Sequence, residues 1–324
     1  MKSVFSLLIV LVSALISGFG YSLLPSCKDI ESGFLIMVVS AVFGSVVLLV
    51  GEGLDSNKGV MVYFVFQLVG SSFVLVGLSV VDSMLGWGGF FCSIGYLMKV
   101  GLFPFHWWVY YVFPKLSWMA FLPGMVFFKL GIIMGIPFYL GWWMVLLVFV
   151  FSFVFSVWGV MSCSVGSLKE VVAWVSVSDS CWAVLGSMVG LKLVFFYLLG
   201  SGVSLSFVVL VMSKEGVESV GGVFRCGDPW SVMVGLSSYM GIPPFMGCVS
   251  KLYIVDCLSS LPDYGWCVLS FGGLMSSAVM LVVVLGVVSS AGVGVKKWKL
   301  DMAFVLSYLF HFLMHMGFWV LFLF

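Results

Sequence analysis

Long apolar runs, each about the length of a bilayer-crossing helix, fill this chain from end to end. A hydrocarbon core is crossed by about 20 apolar residues of helix. On that measure eleven spans are predicted, near residues 4–24, 33–51, 59–82, 86–111, 117–140, 142–161, 170–190, 192–212, 231–259, 264–290 and 302–324. The segments between them carry the polar punctuation, such as "PSCKDIES", "GEGLDSNKG", "SCSVGSLK" and "AGVGVKKWKLD". The ninth run is long and contains "GIPPFMG", so it is predicted as a broken helix. The opening run after Lys2 exceeds the roughly 7–15 apolar residues of a secretory signal and reads as a retained first span. No soluble domain fits between these runs. The expected architecture is all-α, a single polytopic transmembrane domain over residues 1–324.

Composition agrees. Of the 324 residues 63% are hydrophobic and 8% charged, whereas soluble domains carry about 25% charged residues. A net charge of +1 offers nothing for nucleic acid. The eight cysteines have no CxxC or CxxH spacing and mostly sit in apolar runs, so neither a disulfide frame nor a metal site is expected. Heavy use of Phe, Val, Gly, Met and Trp fits a biased coding strand, as in an organelle.

The basic residues test the span count. With the N-terminus on side A, that side holds Lys2, Lys58, Lys115, Lys169, Lys214, Arg225, Lys296, Lys297 and Lys299, and side B holds Lys28 and Lys192. Nine against two is a strong positive-inside asymmetry. It predicts the N-terminus inside and, after an odd number of spans, the C-terminus outside.

Fourteen basic residues less these eleven leave three: Lys99, Lys129 and Lys251, inside spans four, five and nine. An ammonium at mid-helix costs about 2.5–3.5 kcal/mol on insertion scales. Snorkelling explains a lysine within a turn of a helix end; a hydrophilic path explains one at depth. Lysine suits proton work because loss of water disfavours the charged form, so a buried amine can exchange its proton. Helix breakers accompany the lysines. Pro104 with Gly101 interrupts span four, and Pro243 and Pro244 interrupt span nine. The carbonyls freed there must be satisfied by protein or by water, and broken helices beside ionisable groups mark ion-translocating proteins.

At these residues a family pattern emerges. "MKVGLFPFHWWV" (98–109) is similar to K-L-G-x-x-P-F-H-x-W-V, and "MGIPPFMGCVSKLYIVD" (240–256) to G-G-L-P-P-x-x-G-F-x-P-K-W. "FFKLGI" (127–132), "LKEVVAWVSVSDSCW" (168–182) and "VYFVFQLVGSS" (62–72) follow in matching order. Over roughly residues 60–260 the chain resembles the NADH dehydrogenase subunit 2 family, the antiporter-like membrane subunits of mitochondrial respiratory complex I. The resemblance implies an antiporter-like fold with two broken helices. It also implies a proton-moving subunit of the NADH:ubiquinone reductase, with no cofactor of its own: NADH, flavin, iron–sulfur clusters and ubiquinone belong to partner subunits. Carried over by motif, Lys99, Lys129 and Lys251 would be relay lysines. His106 would bridge Lys99 to water, or serve only as a hydrogen-bonded structural histidine. The setting implied is the mitochondrial inner membrane, with the N-terminus in the matrix and the C-terminus in the intermembrane space. Other complex I membrane subunits would be partners, and anionic lipid such as cardiolipin would meet Lys296, Lys297 and Lys299.

The departures carry as much information. The family places a glutamate in its second span, beside the first lysine; here "GFLIMVVSAVFGSVVLLV" holds no acid, and Glu31 only precedes it. Asp179 stands where the family has histidine; it is read as a paired acid, as a neutral one, or as a substitute relay carboxylate. Asp256, five residues after Lys251, corresponds to an acidic family position and is expected to be paired or exposed. Gln67 can hydrogen-bond a neighbouring helix or water. His311 and His315, spaced i, i+4, are read as helix–helix contacts and not as metal ligands. Two rival functions remain at this stage: a freestanding cation/proton antiporter, and a membrane subunit that conducts nothing.

Overall fold

Helix satisfies its own backbone hydrogen bonds, which lipid requires, and helix is what the long apolar runs form in the computed structural model. It describes residues 12–20, 23, 30–49, 54–81, 85–126, 128–129, 132–133, 142–162, 167–219, 222–223, 229–241 and 246–259. The named helices are α1 (Ile30–Leu49), α2 (Leu54–Val81), α3 (Leu85–Val100), α4 (Trp107–Val112), α5 (Trp118–Met125), α6 (Trp142–Ser162), α7 (Leu168–Val189), α8 (Leu191–Glu215), α9 (Pro229–Met240) and α10 (Met246–Ser259). Among the described residues there is no strand beyond an isolated bridge between Ser167 and Ser219. Among the described residues four helical segments are long and apolar enough to cross a membrane: Ser32–Leu49, Asn57–Val80, Leu168–Val189 and Lys192–Glu215. The expected spans 264–290 and 302–324, with Lys296, Lys297, Lys299, His311 and His315, lie outside the described residues.

Large apolar side chains such as Leu35, Met61, Trp87, Val154, Trp158 and Leu210 stand exposed. Such a surface suits lipid and would be a liability in water. The segment Leu168–Val189 is the reverse. Its serines and Asp179 make it polar for a membrane helix, and it is almost entirely buried.

The chain divides into two compact units. The first comprises Met1–Ser152 with Ser176–Phe195, and the second Phe153–Val175 with Phe196–Phe324. In the first unit α2 packs against α1, α3 and α4, and α1 against α5. The α2–α3 seam is built on small residues, as close helix pairs in lipid require. A side chain added at Gly95 would stand 2.6 Å from the Gly70 carbonyl, and one at Gly77 would meet Cys92 and the Gly88 carbonyl. In the second unit α9 packs on α10, and Gly235 lies against Phe207 and Val208 of α8. There Lys169 also meets the exposed Glu218 at 3.5 Å.

Both predicted breaks are present. α3 stops at Val100 because Gly101 turns left-handed, φ +77°, a conformation glycine adopts without strain. The Gly101 and Leu102 N–H groups both donate to the Leu97 carbonyl, at 3.0 and 3.1 Å. That closes the helix in the manner of a glycine C-cap and leaves later carbonyls without helical donors. Side chains serve two of them: Trp108 Nε1 donates to the Met98 carbonyl at 3.0 Å, and Gln67 Nε2 to the Lys99 carbonyl at 3.0 Å. The Phe103 N–H, displaced from the helix, donates to Ser152 Oγ of α6 at 3.0 Å. In the second unit α9 ends at Met240 on Gly241, φ +81°, and α10 starts at Met246. The proline pair 243–244 lies between them, outside the described residues.

Two outcomes follow from this packing. Gly95→Val forces a branched side chain against the α2 backbone, and overpacking of this kind costs about 1–3 kcal/mol. It should lower the unfolding temperature of the detergent-solubilised assembly. Gln67→Leu leaves the buried Lys99 carbonyl without its donor, a loss of about 1–3 kcal/mol, visible in the same measurement. Gln67→Glu should not restore it, since an ionised carboxylate donates nothing.

Candidate functional site

Lys99 is placed by the glycine seam. Its Cγ lies 2.7 Å from where a Cβ on Gly70 would be, so the lysine stem lies across α2 at a point that only glycine leaves open. The residue is 1% exposed, and its Nζ has no hydrogen-bond partner among the described residues. Glu31, the acid considered as a stand-in for the family's glutamate, falls in the first turn of α1, with no acid between it and Leu49. Gln67 holds the Lys99 backbone while its own Oε1 is buried without a partner among the described residues. The amide thus holds the lysine's backbone, while the Lys99 nitrogen and the Gln67 carbonyl oxygen are both buried without a described partner.

Lys129 lies in the short helical stretch 128–129 and is 4% exposed. Its Nζ donates to Ser180 Oγ at 2.9 Å, and Ser180 Oγ in turn donates to the Ser176 carbonyl at 2.7 Å. Asp179, one residue before Ser180 and 7% exposed, interacts electrostatically with the ammonium, as does Cys181. The hydrogen bond to Ser180 thus sets the Lys129 nitrogen against this polar stretch of α7. The Cys181 thiol also lies near Ser152, the hydroxyl that receives the Phe103 N–H at the first break. Polar groups consequently run from the interrupted α3 through Ser152 to the α7 segment that holds Lys129.

In the second unit Lys251 is 3% exposed on α10, and its Nζ donates to the Met240 carbonyl at 2.9 Å. The ammonium sits at the C-terminus of α9, where the helix dipole favours positive charge. Gly241 admits the lysine: a Cβ there would meet Lys251 Cδ and Nζ at 2.9 and 3.0 Å. Gly247 similarly lets α10 approach the Ser238 carbonyl. Asp256, on α10, is exposed. His106, half-buried, occupies the N-cap position of α4 and stacks on Phe103 with ring centroids 6.2 Å apart.

The sequence reading missed Ser180 and Ser152. Its only available signal was the alternation "SVSDS", three hydroxyls around an acid in an otherwise apolar helix. Among the described residues no three His, Cys, Asp or Glu side chains gather as a metal set, and Cys92, Cys181, Cys248 and Cys257 form no disulfide.

No family model matches the chain. Among curated proteins it is 26% identical over 235 residues to NADH-ubiquinone oxidoreductase chain 2 of Albinaria caerulea, covering 70% of this chain and 71% of that protein. It is 25% identical over 200 residues to the protein of the same name from Artemia franciscana, covering 61% and 64%. A chain in the structure of respiratory complex I from Thermus thermophilus with bound aureothin superimposes with a TM-score of 0.73 at 17% identity, over 90% of this chain and 76% of that one. The all-α, antiporter-like fold expected from the sequence is the fold observed. In sequence the chain is similar to the NADH-ubiquinone oxidoreductase chain 2 proteins of Albinaria caerulea and Artemia franciscana, and in fold to a chain of respiratory complex I.

Proposed function

We propose that this chain is a proton-translocating membrane subunit of a respiratory complex I. It would lie in the mitochondrial inner membrane as one transmembrane domain with its N-terminus in the matrix. NADH oxidation and ubiquinone reduction would take place in partner subunits. The observation that carries the reading is the burial of all three intramembrane lysines, 1%, 4% and 3% exposed. Their nitrogens end inside protein, where snorkelling would have left them at the rim. At an effective dielectric of about 20, a unit charge 4 Å away changes the energy of such an ammonium by about 4 kcal/mol. Charge movements in neighbouring subunits can therefore load and unload these nitrogens.

Within this reading the chain's own groups divide the work. Lys99 carries an ammonium with no described acceptor on it, held in place through its backbone by Gln67. Lys129 carries one anchored on Ser180 beside an acid. His106, at the start of α4, is a candidate for passing a proton between the Lys99 region and water, since a neutral imidazole both donates and accepts. Lys251 admits a second reading, because its ammonium already caps the Met240 carbonyl. Its charge then also fixes the end of α9. Asp256, being exposed, would exchange protons with the aqueous side.

Lys129→Met in the assembled complex tests the proposal. Protons moved per NADH oxidised should fall while the complex still assembles; an unchanged ratio with intact assembly identifies a structural subunit. Cation/proton exchange by the purified chain alone in liposomes would instead establish a freestanding antiporter. For Lys251 the two readings separate on Lys251→Met, which leaves the Met240 carbonyl bare. Capping predicts a stability loss of about 1–3 kcal/mol, measured as a lower unfolding temperature. A role confined to proton transfer predicts lost pumping at unchanged stability.

A further inference from the structure

Burial sorts the described acids. Glu170 and Glu215 are partly exposed, and Glu218 and Asp256 are exposed. Asp179 is 7% exposed in the middle of α7. A polar side chain in a buried helix has a local outlet, donation to a carbonyl one turn back. The neighbours of Asp179 take it: Ser180 Oγ donates to the Ser176 carbonyl at 2.7 Å, Cys181 Sγ to the Val177 carbonyl at 3.2 Å, and Ser187 Oγ to the Val184 carbonyl at 2.6 Å. An ionised carboxylate has no proton to give and accepts only, while the N–H groups around it belong to the helix. Its donors and its counter-charge must come from another element. Lys129 is in place: its Nζ donates to the adjacent Ser180 at 2.9 Å, and the Asp179 charge acts on it. The serine contributes a neutral acceptor only, so it cannot balance the ammonium.

We propose that Asp179 is the counter-charge of Lys129, a positioning residue that supplies from α7 the intramembrane carboxylate absent from α1. The contrast with Lys99, whose Nζ has no hydrogen-bond partner among the described residues, gives the two sites different charge cycles. With its proton, the Lys129–Asp179 site is neutral; when the Nζ–H bond breaks and the proton passes to neighbouring water, the site is left at −1. The Lys99 site alternates between +1 and neutral. The proton cycle at Lys129 rests on the relay reading above; the charge pairing does not.

A four-variant cycle in the assembled complex tests the pairing, with complex content read on native gels and proton uptake per NADH read in proteoliposomes. Removing one member of a buried pair strands the other charge, whereas removing both does not. Asp179→Asn should therefore reduce complex content severalfold, and Lys129→Gln/Asp179→Asn should recover most of that loss without recovering pumping. Asp179→Glu should keep both content and most of the pumping. The pairing is overturned if Asp179→Asn matches the unsubstituted chain in content and pumping, or if the double variant loses at least as much content as Asp179→Asn. Should Asp179→Asn fail to assemble, the double variant still decides, recovery supporting the pair and its absence refuting it. Unchanged pumping in Lys129→Gln would instead sink the relay reading, and the content comparison would judge the pair independently.

Discussion

Inside a bilayer every backbone donor and acceptor must find a partner within the protein, and this constraint organises the whole site. Two helices stop part-way, at Val100 and at Met240, each on a glycine with positive φ. The carbonyls left over determine which polar side chains are drawn to membrane depth. At the first stop the partners are neutral, the Trp108 indole and the Gln67 amide. At the second the partner is the ammonium of Lys251. The two breaks look alike in sequence, yet one leaves its lysine nitrogen without a described acceptor and the other commits it to the backbone.

Burying a lysine stem also needs room, and the glycines make it. The α2–α3 pair approaches closely because Gly70, Gly77 and Gly95 carry no Cβ at the seam, and Lys99 extends across the space above Gly70. A larger residue at position 70 would displace the stem that carries the charge. Packing and function are thus the same requirement at this position: the contact that holds two helices together in lipid, where van der Waals fit replaces the hydrophobic drive, also sets where an ammonium ends.

Much of this was legible in the sequence because its signals are local. Gly101, Pro104, Gly241 and the proline pair mark interrupted helices wherever the neighbours lie, and a lysine in an apolar run is conspicuous in any context. The polar side of Gln67 also announced a partner on another helix. Ser152 and Ser180 gave no comparable signal. A serine in a membrane helix usually bonds its own backbone, as Ser156, Ser187 and Ser204 do here, and only the fold shows which hydroxyl also receives a group from another helix. Asp256 was ambiguous for the same reason. Its place on α10 is readable from spacing, but exposure depends on what covers the helix.

Asp179 shows how a departure from a family pattern is to be weighed. Histidine at that position can be neutral and satisfy itself as both donor and acceptor; aspartate, once ionised, cannot, so the exchange alters the charge inventory of the membrane interior and not only its hydrogen bonding. Such a change persists only where a cation compensates it. With α1 carrying no acid between Glu31 and Leu49, the proposed pairing would place the intramembrane negative charge near the second lysine and not the first. The total of charged groups is then nearly conserved while their placement is not. In a low-dielectric interior charges act strongly on one another, so the relevant constraint is the balance of each local cluster, and the identity of any one residue is secondary to it.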